Sequence, residues 1–186
     1  FIERNYEDWF APKADKPILS HEIFGELVAP EIRKKDKPIL FVVIDNLRYD
    51  QWKAFENIVN NYYKLEKEVS YFSILPTATQ YARNAIFSGL TPLEMEKKYP
   101  QYWKNDVDEG GKNQFEAEFL SEQLKRLGLN IKQEYYKITN FASGKKLADN
   151  FKSLKGNDLT TIVYNFVDLL SHSRTEMDVL KELAND

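Results

Sequence analysis

Ile39-Leu-Phe-Val-Val-Ile44, opened by Pro38 and ended by Asp45-Asn46, decides the fold. Six apolar residues in a row cannot alternate between a wet and a dry face. The run predicts a strand covered on both faces, as in a parallel sheet flanked by helices. Working toward the C-terminus, Leu47 to Leu65 reads as a helix, with Trp52, Phe55, Ile58, Val59 and Tyr62 at helical spacing. Val69 to Leu75 reads as a second strand. Thr77 to Leu90 reads as a helix carrying Tyr81, Ala85, Ile86 and Phe87, stopped by Gly89 and Pro92. Residues 93–113 are polar, aromatic and loop-like, with a break at Gly110-Gly111. Asn113 is placed to cap a helix from Phe115 to Leu127 that Gly128 ends. A strand over Ile131–Ile138, a helix over Ser143–Leu154, a strand within 158–167 and a helix over Thr175–Leu183 complete the pattern. The order β-α-β-α-α-β-α-β-α predicts an α/β domain with a mostly parallel sheet.

Toward the N-terminus the signal is weaker. Residues 1–17 read as a connector broken by Pro12 and Pro17. Ser20 is placed to cap a helix bearing Ile23, Phe24, Leu27 and Val28, which Pro30 ends or kinks. Residues 1–36 are therefore expected to form a linker or helical lead-in, and residues 37–186 the α/β domain.

Bulk composition narrows the function. The 186 residues are 42% hydrophobic and 30% charged, long enough for one domain with a core. A net charge of -3 argues against broad non-specific nucleic-acid binding, which needs clustered cations to neutralise phosphates. The chain has no cysteine, so disulfides and thiolate metal sites are excluded and any metal falls to oxygen and imidazole ligands. Neither a membrane-length apolar run nor a signal peptide is apparent, and a cytoplasmic location without membrane insertion is expected. Neither a P-loop nor a G-x-G-x-x-G follows a strand, which argues against an ordinary nucleotide-binding fold.

Several polar residues fall where α/β sheets carry their chemistry, just past strand ends. Asp45 either binds a metal or caps the next helix. Thr79, in Pro76-Thr-Ala-Thr79-Gln-Tyr-Ala-Arg83, is either a helix cap or a nucleophilic hydroxyl. A threonine alcohol needs a divalent ion or an equivalent aid to act as an alkoxide at neutral pH, and a helix N-terminus favours the developing anion. Arg83, one turn on, either clamps a phosphate or is solvated. Asp168 and His172 are spaced to hold one ion if the segment turns helically. His21 reads as a surface or packing residue, and Lys145-Lys146 as a solvated helix face.

Four stretches together resemble the PglZ domain of the alkaline phosphatase superfamily: Val42-Val-Ile-Asp45-Asn-Leu-Arg48-Tyr-Asp50, Pro76-Thr-Ala-Thr79, Phe87-Ser-Gly-Leu90-Thr-Pro92 and Asp168-Leu-Leu-Ser-His172. Thr79 precedes Gly89 by ten residues, the interval from the nucleophile in related phosphodiesterases and sulfatases. Arg83 also matches the sulfatase pattern. The stretch most resembles the PglZ effectors of PorX-type response regulators, two-component proteins linked to type IX secretion.

The resemblance implies an alkaline phosphatase-like fold and a binuclear zinc site. Asp168 and His172 would hold one ion and Asp45 the other, with Thr79 approaching both. It implies a phosphodiesterase acting on a nucleotide or oligonucleotide through a covalent enzyme–phosphate intermediate, signalling protein partners, and a homodimer in the intact protein. The family also uses a later Asp-His pair and another histidine, whereas this chain has two histidines in all. The sheet and the metal sites are accordingly expected to be completed beyond Asp186, and the stretch by itself to be inactive. The alternative is a protein-interaction output module with this fold and little or no catalysis, its contact surface formed around Tyr99, Tyr102 and Trp103.

Overall fold

The computed structural model describes residues 1–11, 15–105, 108, 111, 113–165 and 168. The chain divides into two compact units, Phe1–Arg33 with Val69–Asn130, and Lys34–Glu68 with Ile131–Asp186.

The second unit holds the sheet. Strands β1 (Ile39–Ile44), β2 (Gln133–Ile138) and β3 (Leu159–Tyr164) run parallel in the order β1-β3-β2. Ile39 pairs with Leu159 and Ile44 with Tyr164 on one side of β3. Gln133 and Ile138 pair with the same two residues on the other side. Helices α3 (Tyr49–Asn60) and α7 (Phe141–Asp149) belong to this unit. The α/β expectation therefore holds, with a parallel sheet flanked by helices.

Burial departs from expectation along β1. Leu40 and Val42 are exposed, so β1 is not the doubly covered strand. That strand is β3, buried from Leu159 to Val163. The reason is position: β3 lies between two partners, and α7 packs over β2 rather than β1.

The first unit is built around helix α4 (Thr79–Ser88), which packs against α6 (Glu116–Arg126) and the 3₁₀ turn Ser20–Glu22. Phe24, Phe87, Met95, Phe119 and Leu120 are fully buried in this unit. Three sequence expectations are corrected here. Val69–Leu75 makes one isolated bridge, Phe72 to Leu19, instead of a strand. The ladder goes no further because Ser20 enters a turn, and its hydroxyl rather than its carbonyl takes the Ile74 N–H at 3.1 Å. Residues 93–113 are not all loop: α5 spans Pro92–Lys98 behind a Thr91-Glu94 capping box. Pro30 does not end the N-terminal helix: a π-turn over Phe24–Val28 leads into α2 (Ala29–Lys34), with Pro30 at its second position, so the helix departs from α geometry in the turn before the proline.

The expected connector is also structured. A short helix α1 (Ile2–Asn5) and a 3₁₀ turn at Asp8–Phe10 seat a buried Trp9 against Phe72, ring centroids 5.0 Å apart. The expected helix at 175–183 lies outside the described residues.

Candidate functional site

Asp45 is the first residue past β1. Its backbone N–H donates to the Tyr164 carbonyl at 3.1 Å, continuing the ladder one step beyond the strand. Asn46 follows at φ 59, turning the chain sharply off the sheet. The cap reading of Asp45 fails, because α3 begins three residues later with Arg48 as its N-cap. There the Gln51 side chain accepts from the Arg48 N–H at 3.0 Å.

The Arg48-Tyr49-Asp50 stretch is also occupied. Arg48 donates to both Asp50 oxygens, at 2.9 and 2.7 Å, on the exposed surface. That guanidinium holds the Asp50 carboxyl down to about 2.

Asp168 lies beyond the same end of the neighbouring strand, four residues after Tyr164. The parallel register ends β1 and β3 together, Ile44 opposite Tyr164, and Asp45 leaves the sheet at that carboxyl edge, where open α/β sheets bind ligands; residues 166 and 167, between Tyr164 and Asp168, lie outside the described residues. His172 lies outside the described residues.

In the first unit, Thr79 is the first residue of α4 and is half-buried. The helix has Ala78 as its N-cap and no side-chain cap bond. Neither Thr77 nor Thr79 caps it. Arg83 follows one turn on, but it is buried rather than solvated, and its Nε donates to Glu116, itself only 1% exposed. A phosphate held by Arg83 would have to compete with that carboxylate.

Two neighbours of this helix were not foreseen as site residues. Asn113 does not cap α6, whose N-cap is Phe115. Its Nδ2 donates instead to the Thr79 carbonyl at 3.2 Å and to Asn84 Oδ1 at 3.1 Å. Glu116 had no signal beyond being an acid in a first helical turn.

Gly89, the family-spaced glycine, ends α4 in the left-handed conformation at φ 62. A Cβ there would stand 2.2 Å from the Gln123 amide. Its place in the motif thus has a packing cause.

The aromatics expected as a contact surface are packed inward. Tyr99 and Trp103 are buried. Tyr102 packs on Phe119 with centroids 5.8 Å apart, and Tyr81 on Trp103 at the same distance. His21 is half-buried and stacks on Phe10, and burial pushes its imidazole below the usual value of 6.5.

The acids past the strands fit a divalent cation in kind. Carboxylate oxygen suits such an ion, and the chain offers no thiolate. Among the described residues, no group of three or more His, Cys, Asp or Glu is gathered to hold an ion, whereas zinc takes about four ligands.

The family model for the BREX system PglZ alkaline phosphatase-like domain matches residues 23–186. The chain belongs to the PglZ family. Its α/β architecture is that of an alkaline phosphatase-like domain, and membership points to a phosphoesterase-type hydrolase. No curated protein matches the chain. Among the described residues of this PglZ domain, no helix is long and apolar enough to cross a membrane.

Proposed function

We propose that this PglZ domain is the metal-dependent phosphodiesterase part of a longer effector protein, with Thr79 as its nucleophile. Asp45, Asp168 and His172 are its proposed metal ligands. Zinc is the proposed metal, and a nucleotide or oligonucleotide diester the proposed substrate. When bound, the ions would neutralise phosphate charge and lower the pKa of the attacking hydroxyl.

One observation carries the reading. The ordinary reason for an Asp or a Thr at a helix entrance is capping, and neither Asp45 nor Thr79 caps a helix. Thr79 also starts a ten-residue helix, whose N-terminal N–H groups and dipole favour an oxyanion. In the proposed step Thr79 Oγ1 gives its proton to solvent and bonds to phosphorus, the bond from phosphorus to the leaving group breaks, and the departing alkoxide takes a proton from solvent. Water then displaces Thr79 from the resulting threonine phosphodiester, releasing a phosphate monoester and restoring the hydroxyl. Arg83 contributes positive charge one turn from the nucleophile and, through Glu116, anchors the helix that carries it.

Two settings are proposed. One is the output of a response regulator controlling type IX secretion, which rests on the resemblance of the whole stretch to the effectors of PorX-type regulators. The other is a BREX system, after the description of the matched family.

The test is Thr79→Ala in the full-length protein, assayed on a chromogenic phosphodiester with zinc. The rate is expected to fall by about a thousandfold or more, as for other lost nucleophiles. A variant that hydrolyses the diester at the wild-type rate would remove the assignment.

A further inference from the structure

One short segment holds the first two turns of α4 from outside. Asn113 donates through Nδ2 to the Thr79 carbonyl and to Asn84 Oδ1. Three residues later, Glu116 takes the Arg83 Nε in a buried pair. Thr79, Arg83 and Asn84 are thus all fastened to the segment 113–116. The helix needs such a brace because Ala78 gives it no side-chain cap. Asn84 is 3% exposed, so water cannot readily replace the Asn113 amide there.

The contact is also directional. Asn113 directs its amide nitrogen at two oxygens, so an acceptor cannot take its place. A nucleophile misplaced by about 1 Å loses about a hundredfold in rate. Bracing the residue that carries it therefore has a catalytic consequence as well as a structural one.

We propose that Asn113 is a positioning residue for the Thr79 hydroxyl: its amide fixes the first turn of α4, so that Oγ1 keeps one direction toward the substrate. The inference rests on Thr79 being the nucleophile. Removing the Asn113 side chain leaves the Thr79 carbonyl its place in the intrahelical ladder, so the helix survives while its aim is lost.

The experiment compares Asn113→Ala, Asn113→Asp and Thr79→Ala in the full-length zinc-loaded protein on bis(p-nitrophenyl) phosphate. Folding at the assay temperature is followed by circular dichroism. Asn113→Ala is expected to lower kcat by about tenfold to a hundredfold with KM changed less than about threefold, which marks lost alignment rather than lost binding. Asn113→Asp keeps the shape but sets acceptor against acceptor, and is expected to fall at least as far. If Asn113→Ala keeps kcat within about twofold while Thr79→Ala is inactive, the positioning role is overturned and the nucleophile stands. If Thr79→Ala retains wild-type activity, both fall. A raised KM at unchanged kcat, or failure of both Asn113 variants to fold, also overturns the proposal, since the residue would then serve binding or the fold.

Discussion

Glu116 accepts from Arg83 Nε with both side chains withdrawn from solvent, 1% and 6% exposed. A buried carboxylate stripped of its cation is costly, more so than the pair is stabilising. Arg83→Ala is therefore expected to destabilise the protein by about 3–5 kcal/mol, read by urea denaturation. The double change Arg83→Met with Glu116→Leu removes both charges and is expected to regain most of that loss. If Arg83 also adds charge at the site, the double variant recovers its fold without its hydrolytic rate. Equal recovery of both would reduce Arg83 to a purely structural residue.

Gly89 and Gly128 give a matched pair of tests. Both follow helices at positive φ, 62 and 67 respectively, but only Gly89 has a neighbour in the way, the Gln123 amide. Alanine at Gly128 meets backbone strain alone, about 1–2 kcal/mol. Alanine at Gly89 adds the clash, so Gly89→Ala is expected to cost at least about 1 kcal/mol more than Gly128→Ala. Equal urea midpoints for the two variants would show that Gln123 simply moves aside.

Two of the three described strands were legible from runs of apolar and β-branched residues, Ile39–Ile44 and Leu159–Tyr164, although only the second is buried along most of its length. Glycines at 89 and 128 marked helix ends for the same local reason. Val69–Leu75 was misleading, since β-type residues form a strand only if a partner can pair along its length, and the turn at Ser20 ends the pairing here. The α5 helix was legible but outweighed: Thr91-Pro-Leu-Glu94 is a capping box with Pro at the first helical position, obscured by the aromatic stretch behind it. At the site, sequence could nominate Asp45 and Thr79 but not decide between cap and chemistry. That choice depended on where α3 and α4 begin. Asn113 and Glu116 were out of reach, because their roles come from helix packing across more than thirty positions.

Metal retention gives a readout independent of turnover. Asp45→Asn and Asp168→Asn, made singly in the full-length protein, are each expected to weaken zinc retention by at least about tenfold in affinity. Elemental analysis after dialysis against a graded chelator series measures this. A control change at Asp50, which the exposed Arg48 pair engages, is expected to leave retention unchanged. Full retention in both of the first two variants would remove these acids from the proposed ligand set.

The Thr91-Glu94 box sets a pH dependence. Glu94 accepts from the Thr91 N–H and from the Thr91 hydroxyl, both at 2.8 Å. Partial burial opposes ionisation, but the two Thr91 bonds, together with the nearby His21 and Arg126, hold the carboxyl below its usual 4.5. A carboxyl depressed in the folded state stabilises it above the unfolded pKa, and that stabilisation is lost as pH falls through the lower folded value. Glu94→Ala is expected to cost about 1 kcal/mol at pH 7, the usual worth of a helix cap. The gap in melting temperature between wild type and variant should hold from pH 7 down to about 5, then close as pH falls below 4.5. Melting curves by circular dichroism at pH 7, 5, 4 and 3 provide the measurement. A gap that stays constant to pH 3 would mean that the carboxylate charge contributes nothing, and that the variant suffers only from lost side-chain packing.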